Sequence, residues 1–404
     1  MKNRELMRAY NKSEVMEIMR KNKAVYRAEL SRMTGLSIPT IMKITDEFIR
    51  NGLIEDVGKG ISSGGKPPVL LELIPEARLF IGMDISGAML KCIIMDLRGG
   101  VVYRRVRVKG ELEKNANTID LIIDFIETTV SESGIDKKKL SGIGIGVPGL
   151  VETQEGRVIT SIDYNWKNVD VRIPLQEHFK MPVYVENSSK VMAIGEKWFG
   201  NGDESDNFAL VTVGRGIGAA LIVNGEIHKG FYNMSGEVGH MVIDPNGPLC
   251  KCGKRGCLEA LASGNAIANQ ARNLMDIGGK SIMLEMVNGE KEKIESDIVF
   301  NAAAVGDQLA CRIVDDAIDI LAIGLGNLIC LFDCQLIVLT GCVVKDNEYL
   351  LERVKSQINE TRSLYYGDMP IEVKLSTMGE EAAVIGAATL PLRNLVISGD
   401  LQLY

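Results

Sequence analysis

Residues 236–259 contain the most informative run of the chain: Gly236-Glu237-Val238-Gly239-His240, nine further residues, then Cys250-Lys251-Cys252-Gly253-Lys254-Arg255-Gly256-Cys257-Leu258-Glu259. Three cysteines within eight residues, separated by glycines that let the backbone turn, can wrap one tetrahedral ion together with an upstream imidazole. Four protein ligands leave no open coordination position, so the spacing predicts a structural rather than a catalytic Zn²⁺. The predicted ligands are His240, Cys250, Cys252 and Cys257.

The remaining cysteines and histidines form no comparable pattern. Five cysteines stand singly in apolar segments, where a free thiol usually packs as a small core residue. His178 and His228 lie in a mixed helical stretch and a hairpin, and we interpret both as incidental. Disulfides are disfavoured because the chain is expected to be cytosolic.

Two glycine-rich segments lie next to predicted strands in the part of the chain after residue 78, which is called the body below. Gly144–Gly149 formally satisfies G-x-G-x-x-G, but a dinucleotide fingerprint must open a helix, and Leu150-Val151-Glu152 after it is expected to be extended. We therefore predict no dinucleotide site. The second segment, Val211–Gly218, joins two strands, and its backbone either cradles an anion or forms a plain hairpin.

Strands and helices alternate through the body, which predicts an α/β fold. The patterns predict strands over 79–85, 88–96 and 101–108, a helix over 118–133 and a buried strand over 142–147.

Composition places the chain among soluble globular proteins, with 404 residues, 46% hydrophobic and 25% charged. The longest charge-free apolar run, 320–332, has 13 residues, too few for the roughly 20 that a membrane span needs. No apolar run follows the N-terminal residues, so no signal peptide is expected. The sequence thus predicts a cytoplasmic protein without a membrane partner.

The first 75 residues are basic and the remainder is acidic. They carry 13 Lys+Arg against 9 Asp+Glu, whereas the rest carries 33 against 44. This asymmetry favours contact of the N-terminal part with a polyanion, although a solvated basic face would look the same.

The N-terminal part has the pattern of a helix-turn-helix. Gly35 ends a short helix, Ser37 is a predicted N-cap with Pro39 in the first turn, and a third helix is predicted from Ile38 to about Asn51, stopping at Gly52. Its predicted buried face is Ile38, Ile41, Met42, Thr45, Phe48 and Ile49, and its outer face is Ser37, Pro39, Thr40, Lys43, Glu47 and Arg50.

Two strands around a glycine-rich tip follow this helix and are interpreted as a wing. Because recognition helices place their N-terminal side chains at base edges, the predicted DNA readers are Ser37, Pro39, Thr40 and Lys43. Lys66 at the tip is predicted to meet phosphate or the minor groove. The alternative is a generic three-helix cap.

The histidine–cysteine run, the Gly214–Gly218 turn and the late segment 321–341 together resemble the ROK family (repressors, open reading frames and kinases). The resemblance covers about residues 79–390. It implies a two-lobed, actin-like or ribonuclease H-like α/β body with a sugar site in its cleft, preceded here by a winged helix-turn-helix domain. The expected domains are 1–76 for DNA binding, 79–198 with about 380–404 for the first lobe, and 199–379 for the second.

Site residues follow from the resemblance position by position. The family's zinc ligands fall on His240, Cys250, Cys252 and Cys257. Its sugar contacts fall on Asn187, Glu237, His240 and Glu259, and two acidic acceptors suit a ring of hydroxyl donors. The alternative for Glu237 and Glu259 is a supporting role around the zinc.

Four positions depart from the kinases of this family. Ser188 stands where active members place the aspartate that acts as general base, and Glu186 could replace it only after a change of strand register. The family's first phosphate turn has the sequence Asp84-Ile85-Ser86-Gly87-Ala88 in this chain. In the second phosphate turn, Arg215 stands where the kinases usually have threonine. After the late strand, Thr340-Gly341-Cys342 stands where the kinases have two adjacent glycines. We therefore expect no catalytic residue and no enzymatic activity.

The resemblance and its departures predict a sugar-responsive transcriptional repressor. It would bind an inverted-repeat operator as a homodimer or tetramer, with a small sugar as effector. Two alternatives remain: an active ATP-dependent sugar kinase fused to a DNA-binding domain, and a regulator gated by a degenerate nucleotide site.

Overall fold

The computed structural model describes residues 2–59, 69–86, 89–108, 118–366 and 371–398. The chain divides into two compact units. Unit 1 comprises Met1–Val191 with Ala383–Tyr404, and unit 2 comprises Met192–Ala382.

The N-terminal part of unit 1 contains three helices and a three-stranded antiparallel sheet of order β1-β3-β2. Gly35 has φ +69° and Gly52 has φ +64°, left-handed conformations that end the second and third helices as predicted. The elements are α1 Lys2–Lys21, β1 Ala24–Tyr26, α2 Arg27–Thr34, α3 Ile38–Arg50, β2 Ile54–Lys59 and β3 Val69–Leu73.

The predicted faces of α3 were partly wrong. Its buried stripe is Ile41, Ile44, Thr45 and Phe48, spaced as one face of a helix, so Ile44 was missed. Ile38, Met42 and Ile49 lie outside that stripe and are exposed, contrary to the prediction. Glu47, predicted to face outward, instead pairs with Arg8 and Lys12 of α1.

A five-stranded sheet of order β11-β7-β4-β5-β6 forms the body of unit 1. β4, β5 and β6 form an antiparallel meander, whereas β7 lies parallel to β4 and β11 parallel to β7. Arg98, in the β5–β6 turn, donates to the carbonyl oxygens of Asn22 and Lys23 and so ties this sheet to the end of α1. The strands are β4 Leu79–Asp84, β5 Met89–Asp96, β6 Val101–Val108, β7 Leu140–Val147 and β11 Val183–Asn187.

Two helices and a small antiparallel sheet also belong to this region. The helices are α4 Thr118–Ser133 and α5 Arg172–Phe179. The sheet has the order β10-β9-β8 and comprises β8 Leu150–Glu152, β9 Arg157–Ser161 and β10 Trp166–Asp170. A strand therefore follows Gly149, which confirms that the glycine run does not open a helix.

Unit 2 is built on a five-stranded sheet of order β14-β13-β12-β15-β16. Its strands are β12 Phe208–Val213, β13 Ile217–Val223, β14 Glu226–Ile227, β15 Leu336–Thr340 and β16 Glu372–Leu375. The 25-residue helix α11 packs its buried side chains against one face of this sheet. The helices are α6 Ser188–Phe199, which begins in unit 1, α7 Leu258–Ala262, α8 Gly264–Asp276, α9 Met283–Met286, α10 Ser296–Ala304, α11 Gln308–Phe332 and α12 Glu348–Tyr366.

The last helix, α13 Ala382–Ser398, returns to unit 1. Its close packing on the five-stranded sheet requires glycine at two positions of that sheet. A Cβ on Gly144 would lie 1.8 Å from the carbonyl oxygen of Ala387, and one on Gly82 would lie 2.3 Å from that of Val384. The G-x-G run thus serves close packing between sheet and helix.

Within the described ranges, no helix has both the length and the apolar character that crossing a membrane requires.

Candidate functional site

The four predicted metal ligands lie together. The ligand atoms of His240, Cys250, Cys252 and Cys257 all lie within 4.8 Å of one another. Cys250 Sγ is 3.6 Å from His240 Nδ1, and Cys252 Sγ is 3.6 Å from Cys257 Sγ. Tetrahedral Zn–S and Zn–N bonds of ordinary length separate such atoms by roughly 3.5–3.8 Å. The donor set and spacing therefore fit one metal ion.

Tight turns of the backbone bring the cysteines together. Cys250 N–H donates to Lys254 O at 2.8 Å, and Gly253 N–H donates to Cys250 O at 2.9 Å. Gly256 has φ +66°, and a Cβ there would lie 1.4 Å from Asp244 O, so only glycine fits. Lys254 Nζ donates to His240 O at 2.7 Å, which fixes the histidine end of the cluster.

Electrostatics also favour a cation at this point. Burial and the two neighbouring sulfurs raise the pKa of Cys257 to about 12. The backbone N–H of Lys254 lowers the pKa of Cys252. All eight cysteines are free thiols, so no disulfide competes for these sulfurs. Three crowded sulfurs can be ionised together only beside a positive charge, which a bound dication supplies.

Glu259 connects the metal loop to the β12–β13 turn. It is the second residue of α7, which begins directly after Cys257, and it is buried. Its Oε2 accepts from Ile217 N–H at 3.1 Å, and Oε1 lies 3.3 Å from Lys251 Nζ. Lys251 was not predicted as a site residue, although its place between Cys250 and Cys252 could have indicated one.

The same contacts bear on whether the backbone of Val211–Gly218 binds an anion or forms a plain hairpin. Gly214 N–H donates within the turn to Gly216 O at 3.0 Å, and Ile217 N–H donates to Glu259. The Ile217 amide of this turn is therefore already hydrogen-bonded to a carboxylate of the chain, which favours the plain hairpin over a phosphate site.

Glu237 and His240 lie on a loop that runs along β13. Both neighbouring glycines pack on the strand's backbone: a Cβ on Gly236 would lie 2.3 Å from Ala219 O, and one on Gly239 would lie 2.0 Å from Ile217 O. Glu237 is exposed, and its carboxylate has no hydrogen bond to another described residue. Because Nδ1 of His240 faces Cys250, its Nε2 is the nitrogen left to meet a ligand.

Asn187 and Ser188 lie in unit 1, where β11 passes into α6. Asn187 Oδ1 accepts from the N–H groups of Ser189 and Lys190 in the first turn of α6, and its Nδ2 donates to Gly149 O at 2.8 Å. The amide therefore also acts as a helix cap, a role the sequence analysis did not assign. Ser188 is buried, and its hydroxyl has no partner among the described residues.

Both carboxylate oxygens of Glu186 accept hydrogen bonds from neighbouring residues of unit 1. It is buried at 1% exposure, its Oε2 accepts from Thr153 Oγ1 at 2.9 Å, and its Oε1 accepts from Asn187 N–H at 2.9 Å. The strand continues in register with β7 through Asn187, so no slip places this carboxylate at the Ser188 position.

The other divergent positions lie at the ends of strands. Asp84 Oδ1 accepts from both the backbone N–H and the hydroxyl of Ser86, while Gly87 and Ala88 lie outside the described residues. In unit 2, Gly341 has φ +110°, and a Cβ there would lie 2.4 Å from Val213 O. Its neighbour Cys342 is exposed, and a Cβ on Gly214 would lie 3.8 Å from the Cys342 sulfur.

The predicted DNA readers lie at the start of α3. Ser37, Pro39 and Lys43 are exposed, and Thr40 is half-buried. Ser37 Oγ lies 2.9 Å from Thr40 Oγ1, so the two hydroxyls pair with each other, and Ser37 makes no side-chain cap. Lys66 falls outside the described residues.

The ROK family model matches residues 80–394, more than three quarters of the chain. The chain belongs to the ROK family. Its two units with five-stranded sheets thus form the ROK actin-like α/β fold that the sequence analysis predicted, preceded by a helical N-terminal region.

Individual relatives fall into two groups. The xylose repressor of Bacillus subtilis (strain 168) is 30% identical over 382 residues, covering 94% of each chain. The crystal structure of a ROK family transcriptional regulator, a homolog of the E. coli MLC protein, matches with a TM-score of 0.82 at 27% identity and covers 98% of both chains. The glucokinase of Halalkalibacterium halodurans is 31% identical over 314 residues, covering 78% of this chain and 94% of the enzyme. Regulators therefore match the N-terminal region as well as the body.

Proposed function

We propose that this chain is a sugar-responsive transcriptional repressor. Residues 1–76 would bind operator DNA and the ROK body would bind the effector sugar. The observation that carries the proposal is the extent of the match: relatives named as regulators align over nearly the whole chain, whereas the glucokinase aligns with 78% of it. Ser188 also supports a repressor over a kinase, because it has no carboxylate where the family's kinases have their catalytic aspartate.

DNA recognition would use the exposed start of α3. Ser37, Pro39, Thr40 and Lys43 would reach base edges in the major groove, with Lys66 on phosphate or in the minor groove. One such domain is small, so we propose a homodimer or tetramer on an inverted repeat, where two-fold symmetry of the protein matches that of the operator.

Sugar binding would centre on Glu237, His240 and Glu259 in unit 2, and Asn187 stays a predicted sugar contact. With Nδ1 directed at the metal cluster, His240 would keep its proton on Nε2 and could donate it to a sugar oxygen. Glu237 and Glu259 supply acceptors for hydroxyl protons. Glu259 keeps lone pairs for a ligand beside its bonds to Ile217 and Lys251.

The metal is proposed to be a structural Zn²⁺ held by His240, Cys250, Cys252 and Cys257. When bound, it would lower the pKa of the thiols and fix the orientation of the imidazole. Its role would be to order the segment 237–259, which carries Glu237, His240 and Glu259.

Sugar kinase activity is the second candidate, because the glucokinase relative spans most of the body. Kinase activity requires a general base that takes the proton from the sugar hydroxyl, and such a base typically raises the reaction rate about 10²–10⁴-fold. Ser188 offers no carboxylate, and Glu186 is bound to Thr153.

A coupled ATPase assay over a panel of mono- and disaccharides separates the two candidates. The repressor proposal predicts no sugar-dependent ATP turnover for the native chain. It also predicts none for Ser188→Asp, because Ser86, Thr340 and Cys342 still alter the nucleotide positions. Turnover by the native chain would establish the kinase instead.

A further inference from the structure

Two exposed apolar side chains lie in the first half of α3, where the sequence analysis predicted burial. Ile38 and Met42 are each 43% exposed. They are four residues apart, so they lie one turn apart on the same side of the helix. The buried stripe of α3 runs instead through Ile41 and Phe48. Ile38 and Met42 are called the apolar pair below.

The hydroxyl groups near the start of α3 do not share that side of the helix. Thr40 lies two positions from each member of the apolar pair, and residues two apart lie on nearly opposite sides of a helix. Its Oγ1 is 2.9 Å from Ser37 Oγ, so the two hydroxyls already bond to each other. The exposed residues that border the pair are Pro39 and Lys43. This side of α3 therefore presents hydrocarbon next to one ammonium group.

Charge around the apolar pair favours a polyanion as its partner. Both acidic residues of α3 are already paired: Asp46 Oδ1 accepts from Arg27 at 2.6 Å, and Glu47 pairs with two cations of α1. Lys43 forms no ion pair with another described residue and is exposed. Residues 1–75 also carry 13 Lys+Arg against 9 Asp+Glu. Basic surface of this kind attracts nucleic acid.

We propose that the apolar pair reads the C5 methyl groups of thymines in the major groove of the operator. Among the four bases, only thymine presents a methyl group in that groove, and apolar side chains contact it directly. Ile38 has no polar side-chain atom and Met42 has only a weak acceptor, so neither can form a strong hydrogen bond to a purine edge. The inference rests on the proposed function and adds thymine positions to it.

The position and size of the apolar pair fit a DNA groove better than a protein partner. Recognition helices place their N-terminal residues at base edges, and Ile38 and Met42 are the first and fifth residues of α3. A standard protein interface buries roughly 800 Å² on each partner, and two half-exposed side chains supply only a small part of that area. The major groove, in contrast, is wide enough to admit one α-helix.

A scan with deoxyuridine tests the native full-length chain without any substitution in the protein. Replacing thymine by deoxyuridine removes the methyl group and keeps the base pair. An operator is selected from random DNA, and each thymine of one half-site is replaced together with its symmetry mate. Burial of one methyl group is worth about fourfold in affinity. Loss of the methyl in both half-sites should therefore raise Kd about 15-fold at one or two positions, as measured by fluorescence anisotropy.

Ile38→Ala and Met42→Ala test which side chain contacts each methyl group. Each variant should bind the thymine operator more weakly than the native chain does. At its own position it should bind thymine and deoxyuridine operators within about twofold of each other, because coupled losses identify a direct contact. Ile49→Ala is the matched control: Ile49 is 38% exposed on the same helix but lies near its C-terminal end. It should keep the native 15-fold ratio, and near-ultraviolet circular dichroism checks that each variant is folded.

Salt dependence gives a second readout. The slope of log Kd against log salt concentration reports the number of neutralised phosphates, so Ile38→Ala and Met42→Ala should leave it unchanged. A lowered slope would mean that the substitutions displace charged side chains from phosphate, and it would overturn direct reading of the methyl groups.

Other results also separate this inference from the proposed function. A scan without effect at any thymine, or alanine variants that keep the native sensitivity to deoxyuridine, would overturn methyl reading while leaving a DNA-binding repressor. Loss of the deoxyuridine effect in Ile49→Ala would overturn its assignment to the apolar pair. Failure to select any operator with the native chain would overturn the proposed function as well.

Discussion

Glu237→Gln separates sugar binding from folding better than any other substitution in the proposed site. Glu237 is exposed, and its carboxylate has no hydrogen bond to the described part of the chain. Its replacement should therefore change the free energy of unfolding without sugar by less than about 0.5 kcal/mol. A hydrogen bond to a charged group contributes about 1.5–3 kcal/mol. Loss of the charge should then weaken sugar binding roughly 10- to 150-fold.

Glu259→Gln should behave differently, because its carboxylate accepts from Ile217 N–H and lies 3.3 Å from Lys251. We expect it to lower both sugar affinity and stability, the latter by about 1–3 kcal/mol, since an amide group would face one of these two donors. Comparison of Glu237→Gln with Glu259→Gln therefore distinguishes a residue that contacts only the ligand from one that also stabilises the fold.

The assay has two parts. Melting shifts over a panel that includes xylose and glucose identify the tightest sugar, because a ligand of the native state raises stability by mass action. Isothermal titration calorimetry with that sugar then compares the native chain, both variants and Glu204→Gln, an exposed carboxylate of unit 2 outside the site. Unchanged sugar affinity in Glu237→Gln, or a large fall in its sugar-free melting temperature, would refute the reasoning.

Three further predictions concern the metal, the DNA and the core. Cys252→Ser should lose the metal in atomic absorption and weaken sugar binding, whereas Cys330→Ser should do neither; retention of a full metal equivalent would contradict this. Lys43→Ala should weaken binding to the best operator more than binding to random DNA in fluorescence anisotropy, and equal losses would mean that Lys43 contacts only phosphate. Gly144→Ala should destabilise unit 1 by several kcal/mol in urea unfolding, because its Cβ would lie 1.8 Å from Ala387 O; a shift under 1 kcal/mol would show that α13 can move away.

Local spacing predicted the metal cluster well because its ligands are close in sequence. His240 and the three cysteines span 18 residues, and glycine turns leave few ways to arrange them. The boundaries of α3 were also predictable, since Gly35, Pro39 and Gly52 act on their own backbone, although Ser37 at the N-cap position makes no side-chain cap.

Contacts between distant segments could not be predicted in this way. The burial of Ile44 and the pairing of Glu47 depend on where α1 packs against α3. The bond from Ile217 N–H to Glu259 joins residues 42 positions apart. The bond from Asn187 Nδ2 to Gly149 O likewise joins residues 38 positions apart. Each requires tertiary packing, which hydrophobic periodicity does not specify.

Operator affinity with and without sugar tests the central claim most directly. An operator is first selected from random DNA with the full-length chain, and anisotropy then follows its binding while sugar is added in the absence of ATP. The account predicts that the sugar identified by melting shifts changes operator affinity by about 5- to 150-fold, the usual range for coupling between two sites. At a sugar concentration that half-saturates the native chain, Glu237→Gln should largely abolish this change while keeping the sugar-free DNA affinity. No selected operator, or an affinity that the bound sugar leaves unchanged, would contradict the account.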